Sequence, residues 1–176
     1  AMPHKMHHIL SIFYIMRSKR IMNTKNAILA LVMQMKNSKE MLSSILKTTQ
    51  MGQIGIRSVL DTSMRPGLRK ALESQLQEYD AIESEAHAIA SQRGWELREL
   101  DPAVRFMSNM MVKAKLTRGN ADSKIAGMMI QGNTRGMIKS LKNSHQFSSQ
   151  DEPVSILTQK LLDCEKANIR QMQSFL

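Results

Sequence analysis

The sequence predicts an all-α fold built as a bundle of packed helices. Helix-favouring residues (Leu, Met, Ala, Gln, Lys and Glu) are abundant, and Met alone occurs 16 times. No run alternates apolar and polar residues as a half-buried strand would. Apolar residues instead recur at steps of three and four, the spacing of one helix face. At 176 residues, one domain with a sizeable core is expected.

The first bundle helix is predicted to run from about Ser38, a suitable N-cap residue, to Leu60. Its seam alternates steps of four and three residues, as in a coiled coil. Glycines within this helix indicate that a neighbour approaches closely at 52 and 55. The seam comprises Leu42, Ile45, Thr49, Gly52, Ile56 and Val59.

The second helix is predicted from about Pro66 to Arg93. Proline suits the first turn of a helix, and Gly94 suits the position after its end. Trp95 is expected to pack over the end of the bundle. The stripe of this helix comprises Leu68, Leu72, Gln75, Tyr79, Ile82, Ala86 and Ile89, widened by Leu76 and Ala90.

After the second helix, Asp101 and Pro102 form a strong helix start. They predict a short extra amphipathic helix over 102–117, followed by a break near Gly119. The last helix is predicted over about 152–175. Its stripe comprises Val154, Leu157, Leu161, Cys164, Asn168, Met172 and Phe175.

The central helix, predicted over 120–145, carries two glycines at one face, Gly132 and Gly136. Each costs roughly 1 kcal/mol relative to alanine, so a close crossing with another helix inside the bundle is expected. A dimer contact or a ligand groove over the glycines is the alternative interpretation. The apolar stripe beside them comprises Ala126, Met129, Ile130, Met137 and Leu141.

Residues 1–34 differ in composition from the rest, with five bases and no acid. We expect them to form a loosely helical or disordered N-terminal extension to a domain over 35–176. The apolar runs 9–16 and 27–33 are shorter than the about 20 residues that span a bilayer, so no membrane span is expected. No clean small-residue cleavage site follows them.

The net charge is +10, and the stretch 105–142 holds eight bases against one acid, Asp122. Such a stripe can pair with the acidic second helix or attract phosphate polymers. Nucleic acid is not favoured as a partner, because no aromatic side chains interleave the bases. The single cysteine, Cys164, excludes an intramolecular disulfide and is typical of a cytoplasmic protein.

Several short motifs give the chain a resemblance to a known family. These are MetGly at 51–52, GluTyrAsp at 78–80, IleAlaGlyMetMetIleGlnGly at 125–132, and CysGluLysAlaAsn at 164–168 with the following Met172. The pattern, spread over 35–176, resembles an uncharacterised bacterial ferritin-like family. The resemblance implies a ferritin-like four-helix bundle in which 102–117 belongs to the connection after the second helix. It implies no particular activity.

A ferritin-like di-metal site for iron or manganese needs carboxylates from all four helices, with Glu-x-x-His on two of them. This sequence offers Glu83, His87 and Glu165, with Asn168 where a histidine is required. The first and third helices lack a central carboxylate. We therefore expect no bound metal and no other cofactor, and interpret Glu83 and Glu165 as partly exposed boundary residues.

The sequence thus favours a non-enzymatic structural or interaction module that associates with itself. It identifies no small-molecule substrate. A degenerate di-metal carboxylate protein is the first alternative. A binder of nucleic acid or acidic surfaces through the 105–142 stripe is the second.

Overall fold

The structure, a computed structural model, describes the backbone of residues 4–104 and 121–176 and the side chains of residues 14, 16–104 and 121–176. In these ranges helix is the only regular secondary structure, which confirms the all-α prediction. The long helices are α1 (His4–Leu60), α2 (Pro66–Gln92), α3 (Ala121–Gln146) and α4 (Glu152–Gln173).

The four long helices surround one hydrophobic core. Helix α1 packs against α2 and α3, and α4 packs against the same two helices from the other side. A further contact joins α1 to α4. Helices α2 and α3 therefore lie diagonally across the core, where only long side chains can link them.

The seams predicted for the first, second and last helices are the buried ones. Ile45, Leu72 and Leu161, one from each helix, are all 0% exposed. Gly52 of α1, Leu76 and Ile89 of α2 and Phe175 at the end of α4 are partly buried, and the last three still pack against the core. Apolar periodicity located these faces because burying apolar area is the main favourable term in folding.

The helix ends follow the predicted capping chemistry. Pro66 lies in the first turn of α2, and Gly94 after its end has a φ of 63°. Trp95 packs against the core with the Arg93 guanidinium 4.8 Å from its ring centre. At the start of α4, the Asp151 carboxylate accepts a hydrogen bond from the Val154 N–H at 3.2 Å.

Helix α1 is much longer than the predicted first helix, since it begins at His4 and not near Ser38. No glycine or proline occurs between 4 and 51 to end it. Ser38 is therefore not an N-cap, and its hydroxyl instead accepts a hydrogen bond from the Asp151 N–H at 3.0 Å. Burial begins at Ser38, whereas the described apolar side chains before residue 34 are exposed. The assignment of 1–34 to a separate extension stays a prediction.

Residues 102–104 are helical, but the rest of the predicted short helix 102–117 and the break near Gly119 lie outside the described residues. The same holds for the part of the basic stripe before residue 121. In the described part of the chain, none of the helices combines the length and apolar character needed to cross a bilayer.

Candidate functional site

The buried face of α3 differs from the predicted stripe in its second half. Leu141 is 42% exposed and Met137 only half-buried. The inward positions after Met129 are instead Asn133 and Ser140, which are 6% and 1% exposed. The inner face of α3 therefore turns from apolar to polar along its length.

The polar half of α3 borders a cavity of about 400 Å³. It lies between α1 and α3, and Tyr79 of α2 and Glu165 of α4 also line it. Its apolar lining includes Met51 and Met129. Thioether side chains adapt to varied shapes, so this lining suits an irregular occupant.

Three residues that line the cavity each have a buried polar atom without a hydrogen-bond partner among the described residues. The atoms are Thr48 Oγ1, Asn133 Nδ2 and Glu165 Oε2. Their residues are 5%, 6% and 2% exposed. Buried polar groups are nearly always hydrogen-bonded. Three such groups without partners around one cavity therefore mark it as a candidate binding site.

Tyr79 links α2 to α3, the two helices that lie diagonally across the core. Its hydroxyl donates to Asn133 Oδ1 at 2.7 Å and so links α2 to α3. Its ring lies directly over Gly52, where an added Cβ would sit 2.5 Å from Tyr79 Cε2. The close approach predicted at Gly52 is thus confirmed, although a side chain and not a backbone makes it. At Gly55 an added Cβ would meet Met129 at an ordinary 3.6 Å.

Glu165 is fully enclosed, so its interpretation as a partly exposed boundary residue is wrong. A Cβ added at Gly136 would lie 2.6 Å from Glu165 Oε1 and 3.1 Å from Thr48 Cγ2. The absence of a side chain at 136 therefore makes room for this carboxyl. Burial raises the pKa of Glu165 to about 8, against a smaller lowering effect of the Tyr79 hydroxyl. The carboxyl is consequently held mainly in its protonated form near neutral pH.

Gly132 does not show the predicted close crossing, since an added Cβ would meet nothing within 4 Å. It faces the open side of the cavity, one turn from Gly136. The two glycines thus have different surroundings. A contact of Gly132 with a second copy of the chain stays a prediction.

The two glycines should respond oppositely to substitution. Gly136→Leu is expected to destabilise the fold by about 1–3 kcal/mol through overpacking against Glu165 and Thr48. Gly132→Leu should gain up to about 1 kcal/mol from helix propensity. Urea unfolding of both variants gives the two signs. A loss at Gly132 that accompanies dissociation of a dimer, measured by light scattering, would instead place that glycine at a subunit contact.

The three candidate metal ligands are divided between two places. Glu83 accepts hydrogen bonds from Gln50 at 3.1 Å and Gln53 at 2.6 Å, and His87 Nε2 lies 3.9 Å from it. Glu165 lies instead in the cavity wall. Among the described residues, no three His, Cys, Asp or Glu side chains are grouped closely enough to hold a metal ion.

We expect the purified protein to contain no stoichiometric iron, manganese or zinc by elemental analysis. A di-metal centre needs more carboxylates than Glu83 and Glu165 supply. The measurement is made after expression with added metal. One or two ions per chain that disappear in Glu165→Ala would contradict this expectation and favour the di-metal alternative.

Cys164 is a buried core residue, as its position in the stripe predicted. Its thiol donates to Glu78 Oε2 at 3.3 Å and accepts from Asn168 Nδ2 at 3.5 Å. Burial, followed by the Glu78 carboxylate, raises the pKa of Cys164 well above its usual value. The thiolate form needed for nucleophilic chemistry is therefore disfavoured.

Thr48 and Asn133 were not among the site residues predicted from the sequence. A signal was present in the sequence. Asn133 and Ser140 lie seven residues apart, on the same helix face as the predicted apolar residue Ala126. No protein-family model, curated protein or solved structure matches this chain. Its function is therefore inferred from the cavity and its surroundings.

Proposed function

We propose that this chain is a non-enzymatic helical-bundle protein that binds a small ligand in the cavity between α1 and α3. The observation that carries the proposal is the group of three unpaired buried polar atoms, on Thr48, Asn133 and Glu165. Each unsatisfied group costs about 1–3 kcal/mol, and a ligand that bonds to them offsets this cost.

The size and lining of the cavity support the same proposal. Its volume of about 400 Å³ falls within the range of small-molecule pockets, roughly 300–1,000 Å³. Such pockets combine an apolar lining with a few convergent polar groups, and Met128 and Met129 meet Asn133 and Glu165 here.

The protonation of Tyr79 and Cys164 argues against a nucleophile or a general base in or beside the cavity. Burial and the nearby Glu165 carboxyl raise the pKa of Tyr79 well above its usual value. The pKa of Cys164 is raised as well. Both groups therefore stay protonated near neutral pH, which is unsuitable for a nucleophile or a general base.

The proposal is tested with the neutral fluorescent probe 1-N-phenylnaphthylamine and a pair of matched variants. Ile54→Trp fills the cavity from its rim, whereas Ile138→Trp alters an exposed α3 residue that does not line it. We expect at least about tenfold weaker probe binding for Ile54→Trp, since roughly 1.4 kcal/mol of lost contact has that effect. Ile138→Trp should bind the probe like the unaltered chain.

Circular dichroism and urea unfolding establish that both variants are folded. The proposal is wrong if the unaltered chain takes up no probe, or if both variants bind it equally well. In the second case the probe would be bound at another surface of the molecule.

For the fold we propose a ferritin-like four-helix bundle. The support is the arrangement of two helix pairs, α1 with α2 and α3 with α4, joined by one long connection over 93–120. One long crossover is typical of ferritin-like bundles. We also propose a bacterial, cytoplasmic protein, following the family resemblance and the single buried Cys164.

A second candidate function, self-association, is favoured by the exposed apolar residues in the first half of α1. Contiguous exposed apolar surface commonly marks an interaction site. Tyr14 is 76% exposed and Leu29 60% exposed. Among the described side chains of this stretch, the exposed large apolar ones are Tyr14, Met16, Ile21, Met22, Ile28, Leu29, Leu31, Val32, Met33 and Met35. The proposed occupant is the same stretch of a second copy.

A chain starting at Met35 is expected to unfold with little change in stability, within about 1 kcal/mol, because the core begins at Ser38. If residues 1–34 mediate association, this shorter chain should be monomeric by light scattering while the full chain is a dimer or larger. A stability loss above about 3 kcal/mol, the scale of core disruption, would contradict the separate extension. A monomeric full chain would contradict self-association.

A further inference from the structure

The cavity has a direction, set by the antiparallel pairing of α1 and α3. The methyl group of Thr48 packs beside Gly136, and seven residues further along α1, Gly55 lies beside Met129. The end near Thr48 is therefore the polar end of the cavity. The other end is lined by Met128, Met129 and Ile54.

Cationic side chains gather at the polar end. Arg135 and Lys139 lie on either side of Gly136 in sequence, and both line the cavity. Lys47, which precedes Thr48, lies close enough to Lys139 to act on it. Partial burial, followed by the positive charge of Lys47, lowers the pKa of Lys139.

Among the described residues, Lys47, Arg135 and Lys139 have no carboxylate partner. The basic residues that do form ion pairs there are Arg57, Arg65, His87, Arg93, Arg98, Lys160 and Lys166. The stretch 105–120 cannot supply a carboxylate partner, because its sequence contains no aspartate or glutamate. A cleft lined by charges of one sign concentrates ions of the opposite sign.

The unpaired buried atoms at this end are suited to the same kind of ligand. Asn133 Nδ2 is a hydrogen-bond donor, and the Thr48 hydroxyl can donate. Glu165 Oε2 donates when its carboxyl is protonated, the form that burial favours. Neutral donors and cations together match the oxygens of an anion. A cationic ligand would instead meet the positive charges of Arg135 and Lys139.

We propose that the ligand is a small amphipathic organic anion. Its anionic group lies at the polar end, bound by Arg135, Lys139 and the Thr48 and Asn133 donors. Its apolar body extends along α1 and α3 toward Met129. This inference rests on the proposed function, since it names the class of ligand that the cavity would bind.

The test compares three probes of equal chain length on the full chain: octanoate, octanol and octylammonium. Binding is measured by displacement of 1-N-phenylnaphthylamine and by calorimetry. Octanoate is expected to bind at least about tenfold more tightly than octylammonium, because a charge-assisted hydrogen bond accounts for that ratio. Shortening octanoate to hexanoate should weaken binding about fourfold for each methylene removed.

Matched glutamine variants locate the anionic group. Arg135→Gln and Lys139→Gln are each expected to weaken octanoate about tenfold while changing octanol less than about twofold. Lys142→Gln removes the same charge from α3 outside the cavity lining and should leave octanoate binding within about twofold.

Two results would overturn the anion assignment. One is octylammonium binding as tightly as octanoate. The other is an equal, small effect of Arg135→Gln, Lys139→Gln and Lys142→Gln on octanoate. In both cases, continued binding of octanol and of 1-N-phenylnaphthylamine would still support the proposed ligand cavity. Failure of every probe to bind overturns the proposed function along with this inference.

Discussion

Gly52→Ala is expected to lower the free energy of unfolding by about 1–3 kcal/mol, the usual cost of overpacking a core. The added methyl would lie 2.5 Å from Tyr79 Cε2, which is much closer than two carbon atoms normally approach. The ring cannot move away easily, because Tyr79 is 1% exposed and its hydroxyl donates a hydrogen bond to Asn133 Oδ1. Helix propensity acts in the opposite direction by roughly 1 kcal/mol, so a net loss reports the steric contact.

Gly55→Ala is the matched control, since it lies one turn along the same helix. Its added methyl would meet Met129 at 3.6 Å, an ordinary contact. This variant is expected to be neutral or stabilised by up to about 1 kcal/mol. Urea unfolding of both variants gives the comparison. If Gly52→Ala is as stable as Gly55→Ala, Tyr79 does not occupy the position described here.

The same contact shows what the sequence can and cannot predict. A glycine at a seam position indicates a close neighbour, because an interior helix glycine is costly unless something needs the space. The identity of that neighbour cannot be read from local spacing. Tyr79 reaches Gly52 and Asn133 because α2 and α3 face each other diagonally, and this depends on the packing of the whole bundle.

Helices α1, α2 and α4 were predicted well where they bury apolar residues, since apolar periodicity and burial report the same property. Apolar periodicity did not locate the buried face of α3, where Leu141 is exposed while Ser140 is buried. Around a cavity the inward residues are chosen for size and hydrogen bonding, so hydrophobicity no longer marks the inner face. Gly136 was predicted to allow a helix crossing, but it accommodates the Glu165 carboxyl.

The start of α1 was missed for a different reason. The first helix was predicted to begin near Ser38 because serine is a suitable N-cap residue, and the change in composition near residue 35 placed a domain boundary beside it. Helix continuity depends on the absence of breaking residues, and no glycine or proline precedes Gly52 in the helix. A suitable capping residue does not start a helix when the residues before it can continue the helix, so Ser38 marks where burial begins and not where α1 begins.

Glu165 should make the fold less stable as pH rises. Its folded pKa of about 8 lies above the ordinary value of 4.5, so the unfolded chain loses this proton first. Between these two values the folded state holds the extra proton, and the free energy of unfolding therefore falls with rising pH. The slope from this group is at most about 1.4 kcal/mol per pH unit, and it vanishes above the folded pKa. Tyr79 and Cys164 stay protonated over the same range, because their raised pKa values lie above it.

Glu165→Gln isolates this contribution, because the amide has a similar shape and does not titrate. At about pH 5 the variant should match the unaltered chain within about 1 kcal/mol, the net value of one hydrogen bond. At about pH 9 it should be the more stable protein, by roughly 1–3 kcal/mol, since the unaltered chain must then bury an ionised carboxylate.

The control for this experiment is Glu73→Gln, which removes an exposed carboxyl from α2. Its effect at either pH should stay within about 0.5 kcal/mol, as for other surface substitutions. Urea unfolding of all three proteins at both pH values gives the difference directly. Equal pH dependence of Glu165→Gln and the unaltered chain would mean that the carboxyl is ionised and compensated in the folded state. A cation from the mouth of the cavity, Arg135 or Lys139, would then have to reach it, and the donor role given to Glu165 in anion binding would be lost with it.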